Sequence, residues 1–280
     1  MFTRSLFFRA GLILIVALAL AGCYVDFGFN AVTAEERGSQ TVDAPTAPRV
    51  VVESFNGEIE VRAGSEGEVE ADWVKRGSGD SQAAAQDDLN NVEVTVTREG
   101  DAVRIIARRT DSRPANNSGA SFEVRVPANA VLDLRTSNGG ITVDGITGEV
   151  RADTSNGKVR VDGATGRVDL SSSNGEIDVT ATNAAVTVRT SNGAIRFEGS
   201  LADGDHTFST SNGRIVLTLP SDARFRVDAR TSNGEVMTDF PVTVSGKIEK
   251  DALNGTVGEN PAVSLRLESS NGSIEIRKGQ

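Results

Sequence analysis

Apolar side chains in this chain fall at alternate positions in short runs, and each run ends in a turn. The unit beginning at Gly157 places Val159 and Val161 before Gly163-Ala164-Thr165-Gly166, then Val168 and Leu170. The next unit repeats the plan with Ile177, Val179, Val186 and Val188. Alternation of period two is the signature of a half-buried strand. Each unit therefore predicts two short strands, one after an Asn-Gly pair and one after the second turn, and hence two facing sheets. Between units stands Ser-Asn-Gly, at Asn138-Gly139, Asn156-Gly157, Asn174-Gly175, Asn192-Gly193, Asn212-Gly213, Asn233-Gly234 and Asn271-Gly272; Leu253-Asn254-Gly255 and Phe55-Asn56-Gly57 are degenerate copies. From Asn138 onward the intervals are 18, 18, 18, 20, 21, 21 and 17 residues. A near-fixed period of this length marks a repeat architecture.

The polar positions decide how the strands stack. In a parallel stack, residues one period apart lie about 4.8 Å above one another, whereas in an antiparallel meander they lie two strands apart. At one-period offset Lys158 meets Glu176, Glu149 meets Arg167, Arg151 meets Asp169, and Arg160, Asp178 and Arg196 alternate in sign. Such pairs stabilise neighbouring strands only if they touch. Asp144 against Asp162 is the exception. The expected fold is mostly β, a parallel β-solenoid of about 18–21-residue coils with two strands per coil. A three-sided hexapeptide helix is excluded, because offsets of six and twelve from Val159 fall on Thr165 and Ser171. The calcium-binding nonapeptide roll is excluded too, since Gly139-Gly140-Ile141-Thr142-Val143-Asp144 lacks its third glycine.

Upstream the pattern is less regular. Val50–Val52, Glu58–Arg62 and Glu68–Lys75 read as strands, as do Asn91–Thr97 and Ala102–Arg109, which flank Glu99-Gly100-Asp101 as a hairpin or two solenoid strands. Good helix formers between Asp80 and Asn90 predict one short helix capped by Asp80. Residues 110–120 read as an exposed loop. The organisation is thus 1–22 leader, 23–48 flexible tether and 49–280 solenoid, irregular over 49–120 and regular over 121–280. The last strand, Ser273 to Lys278, is expected at the exposed end of the stack, where Glu275, Arg277 and Lys278 discourage end-to-end pairing.

The leader changes the picture of where the array sits. Arg4 and Arg9 precede or open an apolar stretch from Ala10 to Leu20, shorter than the roughly 20 residues that span a bilayer. Leu20-Ala21-Gly22-Cys23 resembles the bacterial lipobox, in which the cysteine is lipidated and becomes the first mature residue. Cys23 is the only cysteine, so no intrachain disulfide can form. The resemblance implies membrane attachment through Cys23 and, with Tyr24 following, an outer-membrane location in a diderm bacterium. Loss of residues 1–22 removes two arginines and no acid, taking the net charge from −10 to −12. That balance argues against nucleic acid as a partner and against a polybasic grip on anionic lipid.

Chemistry is thinly signalled. Asn-Gly suits a tight turn because both residues tolerate positive φ, and stacked asparagines can form a ladder of amide hydrogen bonds. The residue two before the Asn is Thr or Ser in most coils, fitting a narrow corner. Seven equivalent copies cannot all be an active site, so these residues read as a structural turn ladder and no catalytic, metal or cofactor residue is nominated. His206, the only histidine, reads as a filler of a wider corner. Asp144, Asp153, Asp162, Asp169 and Asp178 could serve a carboxylate-based polysaccharide-processing enzyme, but glycosidic chemistry needs two carboxyls set in a cleft, and these alternate with Arg and Lys.

The strand pair and helix over residues 50–109, the Phe122-to-Pro127 segment of pattern F-x-V-x-V-P, and Leu132-Asp133-Leu134-Arg135-Thr136-Ser137-Asn138-Gly139 with its downstream repeats resemble a bacterial adhesin-type β-strand-repeat family, a domain of unknown function. The likeness covers about residues 50–278. It implies an exported or membrane-attached protein without agreed catalytic residues. The expected function is a non-catalytic envelope lipoprotein that presents a repetitive surface to a protein or glycan. The alternatives are the polysaccharide enzyme and a passive scaffold or stress-response accessory.

Overall fold

The computed structural model describes residues 31–112, 117–244 and 249–279. The apolar leader and Cys23 lie outside the described residues. Among the described residues the chain is mostly β with one short helix. Its elements are β1 (Val32–Asp43), β2 (Arg49–Ser54), β3 (Ile59–Ala63), β4 (Glu68–Gly79), α1 (Gln82–Asn90), β5 (Val92–Glu99), β6 (Ala102–Arg109) and β7 (Gly119–Val126). The array continues with β8 (Val131–Thr136), β9 (Ile141–Asp144), β10 (Val150–Thr154), β11 (Val159–Ala164), β12 (Arg167–Ser172), β13 (Ile177–Thr190), β14 (Ile195–Leu201), β15 (Gly204–Thr210) and β16 (Ile215–Leu219). It closes with β17 (Phe225–Thr231), β18 (Val236–Thr238), β19 (Thr243–Val244), β20 (Ala252–Val257), β21 (Val263–Ser269) and β22 (Ile274–Lys278).

Strands that follow an Asn-Gly pair form one face and strands that precede it form the other. On the first face β9, β11, the start of β13, β14 and β16 pair in parallel, with Ile141, Val159, Ile177, Ile195 and Ile215 in one register column. On the second, β8, β10, β12, the end of β13 and β15 do the same, with Leu134, Ala152, Leu170, Val188 and Phe208 in register. β13 serves both faces, shifting register between Ala181 and Ala184 beside Asn183, whose φ is 52°. All ten of these column residues are buried, and they belong to a single apolar core. Alternate inward positions from two sheets supply that core, and each fully buried aliphatic contributes about 1.5–3 kcal/mol.

The order of strands in space departs from their order in sequence at both ends. β2 and β3 do not start the stack. They lie inside it, β2 between β6 and β8 and β3 between β7 and β9, all in parallel. At the other end β21 lies between β15 and β17, and β22 between β16 and β18. The expectation of an exposed final strand is therefore corrected: β22 is flanked on both sides. The ends of the stack are instead closed by excursions of the chain. The first contains β4, α1 and β5 to β7, with β5 antiparallel to β6 and β4 antiparallel to β7. The second contains β17 to β20, with β20 antiparallel to β17 and β19 antiparallel to β20.

Two other expectations are corrected. Residues 32–43, read as tether, form β1, which pairs antiparallel with β4 over twelve residues. Only Ala34 of β1 is buried, so an edge strand with one solvated face leaves no apolar alternation to detect. The helix starts at Gln82 with Ser81 as its cap, the Ser81 hydroxyl accepting from the Ala84 N–H at 3.2 Å, in place of Asp80.

Val179, 2 % exposed and in register with Val161 and Phe197, tests the inward face directly. Val179→Asp buries an unpaired carboxylate at a cost of several kcal/mol. Circular dichroism melts should show loss of the cooperative transition, and a wild-type melting temperature would contradict the assignment.

Candidate functional site

The recurrent corner is the feature from which any site must be built. At each Ser-Asn-Gly corner the Thr or Ser two residues before the Asn is buried, and its hydroxyl donates to a glycine carbonyl of the neighbouring coil. Thr154 reaches Gly139 at 2.9 Å, Thr190 reaches Gly175 at 3.0 Å, Thr210 reaches Gly193 at 3.0 Å, and Thr231 reaches Gly272 at 2.8 Å. Thr136, Ser172 and Ser269 do the same to Gly57, Gly157 and Gly213. A carbonyl turned into the corner has no ladder partner there, and the hydroxyl supplies one. Sequence reasoning noticed the small hydroxylic residue but missed its bond, because the acceptor lies a full coil away.

Outside the hydroxyls runs the asparagine ladder. Asn156 Nδ2 donates to Asn138 Oδ1 at 2.8 Å, Asn174 to Asn156 at 2.7 Å, Asn192 to Asn174 at 2.8 Å and Asn212 to Asn192 at 2.8 Å. Asn271 then donates to Asn212 at 2.7 Å, and Asn233 to Asn271 at 2.9 Å. The ladder follows the spatial order of the coils, with Asn271 before Asn233. It also has a direction: within it Asn138 only accepts and Asn233 only donates. Asn254-Gly255 is corrected out of this set. Asn254 lies in β20 opposite Asp228 of β17, a strand position that imitates the motif in sequence only. Asn56 stands beside the ladder, its Nδ2 donating to the Ser118 carbonyl at 2.9 Å.

The glycines serve a purpose other than the expected one. Among the corner glycines only Gly57 has a φ in the left-handed range. What the others share is proximity: a Cβ on Gly157, Gly175, Gly193, Gly213, Gly272 or Gly234 would overlap the carbonyl oxygen of Gly139, Gly157, Gly175, Gly193, Gly213 or Gly272 respectively. Glycine is needed because backbone stacks directly on backbone.

The outer faces carry the charge columns. Lys158 lies 3.9 Å from Glu176 and also pairs with Asp178, Arg167 lies 4.0 Å from Glu149, and Arg196 lies 3.2 Å from Asp178. Asp144 and Asp162 are neighbours in register, and Asp162 is engaged by Arg160 at 2.6 Å. Asp153 accepts from the Ser171 hydroxyl, and Asp169 lies 4.0 Å from Arg189. Arg160, Arg196, Arg214 and Arg277 line a shallow depression of about 450 Å³ together with Asp162, Asp178 and Glu198. Among the described residues no group of three or more His, Cys, Asp or Glu could hold a metal ion, and no helix is long and apolar enough to cross a membrane.

Two buried polar groups have structural explanations. His206 occupies the inward column of Val186 and Leu265 and is 1 % exposed. Its Nδ1 accepts from the Val186 N–H at 3.1 Å and its Nε2 donates to the Ala202 carbonyl at 2.8 Å, which requires the neutral ring. Burial lowers its pKa, with the Ala202 carbonyl and Asp205 acting in the opposite direction. Arg109 joins the helix to β6, donating to Asp88 at 2.8 Å, Asp111 at 2.8 Å and the Ser118 hydroxyl at 2.6 Å. Burial alone would raise the Asp88 pKa, but the Ser78 N–H and the Arg109 guanidinium outweigh it and hold Asp88 below the usual carboxylate value.

The family described as Toastrack DUF4097 matches residues 117–277, more than half of the chain. The chain belongs to the Toastrack DUF4097 family. The Toastrack match covers the array from β7 onward. Among solved structures, the chain is similar to a "putative cell adhesion protein" from Clostridium sporogenes, with a TM-score of 0.34 and 9 % identity over 88 % of this chain and 100 % of that one. It is also similar to a "putative adhesin" from Bacteroides fragilis, with a TM-score of 0.39 and 12 % identity over 90 % of this chain and 98 % of that one. A search of curated proteins finds no match.

The polarity of the Toastrack ladder makes a pair of substitutions informative. Asn174→Asp loses the donor to Asn156 and sets a carboxylate against its carbonyl oxygen, and should cost about 0.5–1.5 kcal/mol in urea unfolding. Asn138→Asp keeps the acceptor for Asn156 and should stay within about 0.5 kcal/mol of wild type. Equal effects at the two sites would contradict a directional ladder. For His206, the folded pKa lies below the unfolded value of about 6.5, so the native state binds fewer protons. Its contribution is complete above about pH 6.5 and is lost as the pH falls from there through the folded pKa. Between pH 7.5 and 5.5, His206→Leu should show a smaller loss of unfolding free energy than wild type, whatever its stability at pH 7.5.

Proposed function

We propose that the protein is a non-catalytic, lipid-anchored cell-envelope protein whose two-stranded β-solenoid coils present long, regular outer faces to a protein or glycan partner. One observation carries this reading: the residues that recur most in the sequence are consumed in holding the coils to one another. The hydroxyls face glycine carbonyls, the asparagine amides face each other, and the glycines lie under backbone. What remains outward on that edge is a row of exposed serines, Ser137, Ser155, Ser173, Ser191 and Ser211 among them, beside faces of paired charges. A surface that repeats at every coil suits multivalent contact with an extended or repeating ligand.

The polysaccharide-enzyme reading needs two carboxyls free to exchange protons across a bond. Here Asp162 and Asp178 are engaged by arginine and lysine, and Asp153 by a serine hydroxyl. These contacts favour a solvated charge ladder over an acid–base pair. The adhesive role follows the names of the similar structures only as a direction for the search.

Intact mass of the protein from membranes, compared with Cys23→Ser in a fractionation experiment, tests the anchor. A diacyl- or triacylglyceryl mass on the wild type and release of the variant to the soluble fraction are expected. An unmodified wild-type chain in the soluble fraction would remove the anchor from the account. Capture from envelope extracts, against an inert solenoid of equal charge, tests presentation: enrichment of one protein or glycan is expected, and none above the control would leave a passive scaffold.

A further inference from the structure

The second excursion has a length that ties it to the repeat. Along the asparagine ladder, neighbours in the regular coils are 18 residues apart, as Asn138 and Asn156 are. Asn212 and Asn271 are also ladder neighbours, yet they are 59 residues apart, an excess of 41. β15 and β16 pair with β21 and β22 in the parallel register of any other successive coils. The stack is therefore continuous from Asn212 to Asn271, and β17 to β20 leave it and return. This segment lies against the far edges of β21 and β22. β17 and β18 add one further parallel coil, and β20 and then β19 run antiparallel over the edge of the sheet containing β17. The outermost strands at this end are then β19, of two residues, and β18, of three. Short edges and antiparallel covers are how sheet ends avoid pairing with other chains.

The segment is held to the stack by the parallel pairing of β17 with β21 and of β18 with β22, and side chains near its turn add to that hold. Phe240, 5 % exposed, meets Phe225 edge-on at 5.2 Å, and Lys278 of β22 lies 5.3 Å from its ring centroid. Asp239 accepts from the Lys278 N–H at 3.2 Å, and its own N–H donates to the Ile276 carbonyl at 2.9 Å.

We propose that the segment carrying β17 to β20 is a cap inserted into an otherwise continuous stack, and that it prevents the rod from pairing end to end with a second copy through the edges of β21 and β22. Without it those strands present edges of seven and five residues, continuous with the core columns of Leu265, Leu267, Ile274 and Ile276. Two such edges meeting antiparallel across a two-fold axis satisfy each other's backbone groups and cover both apolar ends.

Deletion of residues 221–261 removes the excess of 41 and returns Asn212 and Asn271 to the regular spacing. In the exported chain carrying Cys23→Ser, the deletion should keep a cooperative melt and β-type circular dichroism. Sedimentation velocity should show a monomer–dimer equilibrium that rises with concentration, while the undeleted chain stays monomeric over the same range. A deletion variant that is monomeric throughout, or that has no cooperative transition, overturns the proposal; the second result would mean that the segment is required by the stack. Phe240→Ala in the undeleted chain is the independent arm. Faster hydrogen exchange in β20 accompanied by self-association at high concentration supports the cap, and faster exchange with no self-association overturns it.

Discussion

The close approach of backbone to backbone at the Asn-Gly corner is the constraint on which the rest of this structure depends. Coils can stack at strand spacing along this edge only if nothing projects from the glycine toward the carbonyl beneath it. Once that is granted, the other corner residues follow. The carbonyl turned inward needs a donor, which the buried Thr or Ser hydroxyl provides. The next side chain out stacks on copies of itself, and a carboxamide, with one donor and one acceptor to spend on its two neighbours, can do so without charge. A run of carboxylates or ammonium groups at the same spacing would repel. The motif is thus a solution to one packing problem, repeated, and its repetition is no sign of repeated chemistry.

The second organising fact is that β2 and β3, and likewise β21 and β22, lie inside the stack and not at its ends. Linear repeat proteins fray from terminal units that have a neighbour on one side only. Here the coil of β2 and β3 and that of β21 and β22 are each enclosed by strands from excursions on one side and by the regular array on the other. The Thr136 hydroxyl reaches Gly57 across 79 residues, where the same contact in a regular coil spans 15. Such long closures raise contact order and slow folding, and in return they couple the ends to the middle. The buried Arg109 network and the α1 cap reinforce the first excursion, and Phe240 with Lys278 the second.

Much of this architecture is legible in the sequence because period-two alternation and an 18-residue repeat both report local geometry. The columns Val159, Ile177, Ile195 and Leu134, Ala152, Leu170 can be read by stacking the sequence on itself. The order of coils at the ends cannot, since a sequence offset of 59 carries no mark of adjacency. Asn254-Gly255 reads as a corner because the dipeptide is the same in a strand as in a turn. β1 escaped because a polar edge strand has no buried face to impose alternation. His206 looked like a corner residue, yet the register sets it in the aliphatic column, where its ring nitrogens replace a backbone acceptor and engage a carbonyl. The outward charges were legible as pairs, whereas the identity of a partner is not a property of the repeat.

The measurement that tests this account most directly is the unfolding free energy of Gly175→Ala in urea. Gly175 is central in the array, and one added methyl would meet the Gly157 carbonyl without removing any hydrogen-bonding group. If coil stacking depends on that approach, the variant should lose about 1–3 kcal/mol or more, as expected of an overpacked site, with its asparagine and threonine contacts weakened on both sides. A variant as stable as wild type would show that the glycine is there for some other reason and that the corner does not hold the coils together in the way described.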